Sequence, residues 1–149
     1  MFDIKLSTLM NKDHIIFLIG RINYKANRLL QEELEKHGIR GLAPSHGEIL
    51  GSLLLHGEVQ MTKLTEYIDK DKSTITALVN KLVRLGYVKK RKDTSDNRVT
   101  WIGLTDRGAA LKPDIMEISR TLRKRAYENI SDREKDTLAA LLMKINSGM

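Results

Sequence analysis

Two short helical stripes separated by only three residues constrain this chain more than any other feature. Leu64 and Ile68 form the first stripe, on a segment that Thr62 is placed to cap. The turn Asp69-Lys70-Asp71 follows, and the second helix runs from Lys72 to Leu85. At 100° per residue, Ile75, Leu78, Val79 and Leu82 gather on one side of that second helix, while Ser73, Thr76, Ala77, Asn80 and Arg84 lie opposite. Two helices joined by so short a turn are the helix-turn-helix arrangement, with a buried stripe and a polar face cleanly separated.

The flanks complete the pattern. From Ile15, apolar residues recur at Leu18, Ile19, Ile22, Ala26, Leu29, Leu30 and Leu34 with a 3.6-residue period, opened by Asp13 as N-cap and closed by Gly38. Pro44 suits the start of a second helix, which Ile49, Leu50, Leu53 and Leu54 carry to Gly57. Past Gly86, Tyr87-Val88-Lys89-Lys90-Arg91 and Val99-Thr100-Trp101-Ile102 read as β-rich segments around the polar tip Lys92 to Arg98, a β-hairpin whose long charged tip projects as a wing. Thr105 caps another long helix, reaching about Ala126 and bent at Pro113, where a backbone donor is missing. Ser131-x-x-Glu134 is a capping box that opens a last helix carrying Leu138, Leu141, Leu142 and Ile145. The fold class is mainly α with a small β-hairpin wing: a winged helix-turn-helix with N- and C-terminal helices around it.

With 149 residues, 41% hydrophobic and 30% charged, the chain has material for one domain and too much apolar content for disorder. Two prolines and the lack of a Ser/Gly-rich run leave no room for a long linker, so residues 1–149 are expected to form one unit. Within it, 44–105 make the winged lobe, and 12–37 with 106–146 make the dimerisation helices. No stretch approaches the roughly 18 apolar residues of a membrane span, and the N-terminus MFDIKLSTLMNKDH lacks a signal-peptide core. A soluble, cytoplasmic protein without a membrane partner is the expectation. Zero cysteines exclude disulfides, thiolate metal sites and thiol redox sensing. The four histidines, His14, His37, His46 and His56, have no H-x-x-x-H or paired spacing, so no metal site is expected. Without a G-x-S-x-G, H-E-x-x-H, P-loop or G-x-G-x-x-G sequence, no catalytic residues and no cofactor are expected.

The charge balance points to an anionic partner. The formal net charge is +7, and between Lys81 and Lys92 lie six basic residues (Lys81, Arg84, Lys89, Lys90, Arg91, Lys92) and no acidic one. Running from the end of the second helix of the pair into the hairpin, beside a polar helix face, this stripe suits phosphate contact with double-stranded DNA.

Asp96-Asn97-Arg98-Val99-Thr100-Trp101-Ile102-Gly103-Leu104-Thr105 matches a D-x-R-x-x-x-x-x-L-T signature, and Asp71-Lys72-Ser73-Thr74-Ile75-Thr76 resembles the start of a recognition helix; both are features of the multiple antibiotic resistance regulator (MarR) family. The resemblance in helix order covers nearly the whole chain. It implies a transcription regulator acting as a repressor: a homodimer binding a pseudo-palindromic operator, with recognition helices in successive major grooves and wings in the flanking minor grooves. By that resemblance Arg98 reaches into the minor groove and Asp96 orients it, consistent with a carboxylate two residues away holding a long cation in one rotamer. Lys72, Ser73, Thr74, Thr76 and Asn80 are the candidates for base and phosphate contacts, Asn being suited to adenine; Lys81, Arg84, Lys89, Arg91 and Lys92 complete the DNA-binding set. Asp69-Lys70 stands where the family commonly has Gly and an apolar residue. Trp101 is expected to pack on its own hairpin.

The resemblance also implies a pocket for a small aromatic anion between the dimerisation helices and the lobe. Arg21, Tyr24, Arg40 and His46 lie on the segments that would line it, with an arginine to pair the carboxylate. Gly20, inside the first helix, marks either close helix approach or room for a ligand. The apolar stripe Leu138, Leu141, Leu142 and Ile145 is more than a chain terminus can cover alone, so the first and last helices are expected to form a dimer interface. Two alternatives stand beside this reading. A winged-helix protein-interaction adaptor would lack both the basic wing and the polar recognition face; a metal-responsive regulator of the same fold would need ligands the histidine spacing does not supply.

Overall fold

The structure, a computed structural model, describes residues 12–149. The stretch read as lacking a signal-peptide core lies, for residues 1–11, outside them. A short 3-10 turn, Lys12–His14, leads into α1 (Ile15–Lys36). Asp13 sits inside that turn and not at the N-cap, which is His14. The C-terminus closes as expected: Gly38, at φ +73°, lets Ile39 N–H return to the Leu34 carbonyl at 2.9 Å. Helix α2 (Pro44–His56) begins at its proline and buries Ile49, Leu50 and Leu53.

A two-residue strand, β1 (Val59–Gln60), then runs straight into α3 (Met61–Tyr67), so the N-cap is Gln60, two residues before Thr62, which lies inside the helix. Ile68 caps the C-terminus and is itself buried. After the short turn, α4 (Lys72–Arg84) starts from Asp71, whose carboxylate accepts the Thr74 N–H at 2.8 Å. Strands β2 (Val88–Lys92) and β3 (Thr100–Leu104) form the expected hairpin, and β1 joins it to give a three-stranded antiparallel sheet in the order β1-β3-β2. Val59 pairs with Ile102 and Arg91 with Trp101. The wing is therefore anchored by a third strand and is not a free hairpin.

The long helix expected after Thr105 is two helices. Thr105 caps a single turn, α5 (Asp106–Ala109), and α6 (Lys112–Tyr127) begins anew with Pro113 in its first turn. A proline at that position cannot continue a helix from Ala109, because its ring clashes with the carbonyl four residues earlier, but it costs nothing where helical donors are unpaired anyway. Gly108 lets α5 pack closely on Tyr87: a Cβ there would stand 2.0 Å from the Tyr87 carbonyl oxygen. The last helix, α7 (Asp132–Ser147), opens with the complete Ser131/Glu134 capping box.

The core lies where α2, α3, α4 and the sheet meet. Ile49, Leu50, Leu53, Leu64, Ile75, Val79, Leu82 and Ile102 are essentially inaccessible. Leu34 from α1 and Ile118 from α6 extend it outward. His37 at the end of α1 and Asp114 in the first turn of α6 meet at 2.8 Å, tying the two outer helices together. Among the described residues no helix is long and apolar enough to cross a membrane.

Candidate nucleic-acid interface

The sequence of α4 sorts its residues as its period demands. Ile75, Val79 and Leu82 face the core, Lys72, Ser73, Thr74 and Arg84 are exposed, and Thr76, Asn80 and Lys81 are half-buried. The hydroxyls already have local partners: Ser73 Oγ donates to Asp71 at 2.8 Å and Thr76 Oγ1 to the Lys72 carbonyl at 2.7 Å. Their lone pairs remain available as acceptors. Asn80 Oδ1 accepts from Lys90 Nζ, which joins the polar face of α4 to β2.

The pleat divides the basic run. Successive strand residues point to opposite faces, so Lys90 and Lys92 rise on the face of Ile102, next to α4, and Lys89 and Arg91 on the face of Trp101. On that second face the stripe is not purely basic. Glu58, just ahead of β1, reaches across Gly103 to Arg91, accepting from Nε at 2.9 Å. A Cβ on Gly103 would come within 3.2 Å of the Glu58 carboxylate, so the glycine keeps that lane open. Arg91 also lies over the Trp101 ring, 5.1 Å from its centroid.

At the tip, Asp96 accepts from the backbone N–H of Arg98 at 3.0 Å and from its Nε at 3.1 Å, with Nη2 on the second oxygen at 3.3 Å. The Arg98 side chain is nonetheless 91% exposed. Its guanidinium holds the Asp96 carboxyl below the usual carboxylate range. Asp93 is more strongly perturbed, its carboxyl lowered to about 2 by the donors that surround it, the Trp101 indole first. Trp101 packs on its own hairpin, as expected, through that bond.

Arg21, Tyr24, Arg40 and His46 differ in their surroundings. Arg21 is half-buried on α1, Tyr24 is 68% exposed and Arg40 lies open in the loop after α1. His46 is buried, and its Nδ1 accepts the Ala43 N–H at 2.9 Å, so its ring serves the start of α2. A groove of about 590 Å³ does run between α1 and α6, floored by Ile22, Ala26, Leu29 and Leu122 and flanked by Arg28 and Arg125, but none of the four lines it. Space around Gly20 is open within 4 Å, so none of the other described helices approaches it. The histidines stay apart: His37 pairs with Asp114, His56 stacks on Tyr67 at 4.2 Å, and among the described residues no three potential metal ligands come together.

β1, Glu58 and the role of Asp93 were not anticipated. A two-residue strand is too short to show a period, and Glu58 is 33 residues from its partner. The D-x-S spacing of Asp93 and Ser95 was the one local signal, being that of a carboxylate that hydrogen-bonds the backbone two residues on.

With the geometry set out, comparisons with known proteins are direct. Residues 40–98 match the family model of the MarR family. The HTH-type transcriptional repressor YetL of Bacillus subtilis is 30% identical over 125 residues, covering 81% of this chain and 72% of YetL. The multiple antibiotic resistance protein MarR of Escherichia coli is 26% identical, covering 86% and 88%. The S. aureus MepR–DNA complex superposes with a TM-score of 0.81 at 20% identity, covering 94% of this chain and 99% of MepR, and shows the same winged-helix fold. This chain is a winged helix-turn-helix protein, and it belongs to the MarR family. It is a DNA-binding transcription regulator and not an enzyme.

Proposed function

We propose that the protein is a cytoplasmic repressor that binds a pseudo-palindromic duplex operator as a homodimer and is released by a small aromatic anion. The lobe 44–105 reads DNA. Lys72, Ser73, Thr74, Thr76 and Asn80 of α4 enter the major groove, and Lys81, Arg84, Lys89, Arg91 and Lys92 contact phosphates. Arg98, held by Asp96, enters the minor groove, where a narrow A·T-rich stretch concentrates negative potential. Residues 12–37 and 106–146 form the dimer.

The observation that carries this reading is the arrangement of Arg98: an exposed guanidinium at the end of a wing, restrained by a carboxylate on the same tip. Restraint before binding removes part of the entropy cost of ordering a long side chain. The repressor role is supported by YetL, a relative described as a repressor. The dimer is supported by the apolar residues that α1 and α7 leave uncovered, Phe17 and Leu141 among them.

Titration of a labelled duplex, selected by the protein from a random-sequence pool, tests the DNA arm. Log K should fall linearly with log[salt], each phosphate contact adding about −0.9 to the slope, and a flat line would remove the phosphate-contacting stripe. Arg98→Ala should weaken binding by about 1 to 3 kcal/mol with the fold intact; unchanged affinity would leave Arg98 as a solvated residue. For the ligand arm, an aromatic carboxylate should lower DNA affinity, with DNA lowering ligand affinity by the same factor. Arg40→Ala should abolish that effect if Arg40 anchors the carboxylate. Equal release of variant and parent would move the anchor to Arg21, Tyr24 or His46.

A further inference from the structure

We propose that Asp93 is a positioning residue for DNA recognition, clamping the wing tip to β3 through the Trp101 indole and so fixing where Arg98 can reach. The inference rests on the assignment of Arg98 to the minor groove. Its observations are separate from that assignment.

The tip, residues 93–98, is a run of polar residues whose backbone is closed at its base by Asp93 N–H on the Val99 carbonyl and Val99 N–H on the Asp96 carbonyl, both at 3.0 Å. The side chain that ties this run to the sheet is one carboxylate. Asp93 Oδ2 accepts three donors from the tip, Ser95 N–H at 3.1 Å, Ser95 Oγ at 2.8 Å and Asp96 N–H at 3.1 Å. Its Oδ1 accepts one donor from the sheet, Trp101 Nε1 at 2.9 Å. Each oxygen therefore serves one of the two bodies, and the carboxylate is the joint between them. Trp101 is itself fixed on the sheet, half-buried, with Arg91 over its ring and Gln60 opposite in register. The tip end of the chain is continuous: Asp93 holds the Asp96 backbone, and Asp96 holds Arg98 by three hydrogen bonds. Without the joint, the Asp96–Arg98 pair persists and the backbone closure at Val99 remains, but no side chain ties the tip to the sheet and the position of Arg98 relative to α4 is less tightly set.

The charge and symmetry of the carboxylate matter. An asparagine has one acceptor oxygen and one NH₂ group. Turned one way, it keeps the tip donors and presents a donor to the Trp101 N–H; turned the other way, it satisfies the indole and presents a donor to three donors. Either orientation breaks one half of the joint. Asp93→Asn is therefore a near-isosteric test that leaves the hairpin's backbone pairing untouched.

Trp101 is the single tryptophan in the chain, so its fluorescence reports the clamp directly. Emission and acrylamide quenching of the unliganded dimer should both change in Asp93→Asn, while far-ultraviolet circular dichroism stays that of the parent. Unchanged emission and quenching would overturn the clamp. The decisive measurement is a double-mutant cycle on the duplex selected from a random pool. Arg98→Ala should weaken binding about tenfold or more when Asp93 is present and less than about threefold in the Asp93→Asn background. An equal loss in both backgrounds would overturn the proposal while leaving the minor-groove role of Arg98 standing. No loss in either background would instead remove Arg98 from the interface, and the clamp's function with it. Trp101→Phe cuts the same joint from the sheet side without altering the tip, and it should reproduce the loss of coupling even if Asp93→Asn folds poorly; full coupling in Trp101→Phe would also overturn the proposal.

Discussion

The winged lobe and the outer helices handle apolar surface in opposite ways. In the lobe, helices α2, α3 and α4 and the sheet close on one another, and Ile49, Ile75, Val79, Leu82 and Ile102 are inaccessible within a single chain. In the outer helices, α1 leaves Phe17 66% and Ile22 56% exposed, and α7 has no buried residue, with Leu141 54% and Met143 71% exposed. Both regions are amphipathic, yet among the described residues only one is finished by its own chain. Burying an apolar side chain is worth about 1.5 to 3 kcal/mol, so the first region carries its stability alone, and the second gains it from a second copy under the proposal made above. Recognition and assembly are thereby separable in sequence: substitutions in one should leave the other's behaviour intact.

The largest effect should come from breaking the open region. Leu141→Asp combined with Leu142→Asp places two carboxylates on the exposed stripe of α7, where burial against a partner would leave them unpaired. Light scattering should report monomers, and affinity for the selected duplex should fall by about a hundredfold, since two half-sites are no longer bound together. The lobe should still melt cooperatively. A variant that remains a dimer would place the interface elsewhere, and one whose lobe unfolds would show that the two regions are not separable.

A closed region should respond differently. Leu82→Ala in the heart of the lobe removes buried methyl groups and leaves a cavity, costing about 2 to 5 kcal/mol in chemical denaturation. The oligomeric state, read by light scattering at native conditions, should not change. A shift toward monomer in this variant would mean that α4 packing supports the dimer as well.

The same contrast explains what the sequence disclosed. Elements with a strong local rule were legible: Pro44 starting α2, Lys72 opening α4 after its short turn, the Ser131/Glu134 box opening α7 and the apolar stripe of α4 are all where the spacing places them. The Asp96–Arg98 pair, which the family resemblance implies, is also consistent with a local rule, its partners being two residues apart. Contacts that need the folded chain were not. The strand β1 exists because Val59 meets Ile102, 43 positions away in register, and nothing in two residues announces that. Glu58 neutralises part of a stripe that looked wholly basic, because Gly103 opens a path no linear pattern shows. The bend expected at Pro113 is instead a break between Ala109 and Lys112, because the proline stands in the first turn of α6 and not in a helix interior. His46 was grouped with pocket residues on position alone, and its ring is used inside the lobe.

That histidine gives the smallest effect and the finest test of how closed the lobe is. His46 is buried at the start of α2, and its Nδ1 accepts the Ala43 N–H. Burial first, and then the nearby Lys81 charge, push its pKa below the ordinary histidine value of 6.5. The sign follows directly. Above about 6.5 both folded and unfolded chains hold a neutral imidazole, and the group contributes no pH dependence. As pH falls below that value the unfolded chain takes up the proton first, so stability declines until pH passes the lower folded value, and it changes no further beyond it. Protonation also removes the Nδ1 lone pair on which the Ala43 N–H depends. Asparagine at this position keeps an acceptor at every pH, so His46→Asn should lie within about 1 kcal/mol of the parent at neutral pH, the usual range for a helix-start contact. Between pH 7.5 and 5 the parent should lose stability relative to the variant, with a slope no steeper than about 1.4 kcal/mol per pH unit for one proton. Because His14, His37 and His56 are common to both proteins, the difference between the two denaturation curves isolates His46. A difference that stays constant across that range would show that the imidazole protonates as freely in the folded lobe as in the unfolded chain, and that the start of α2 is open to water.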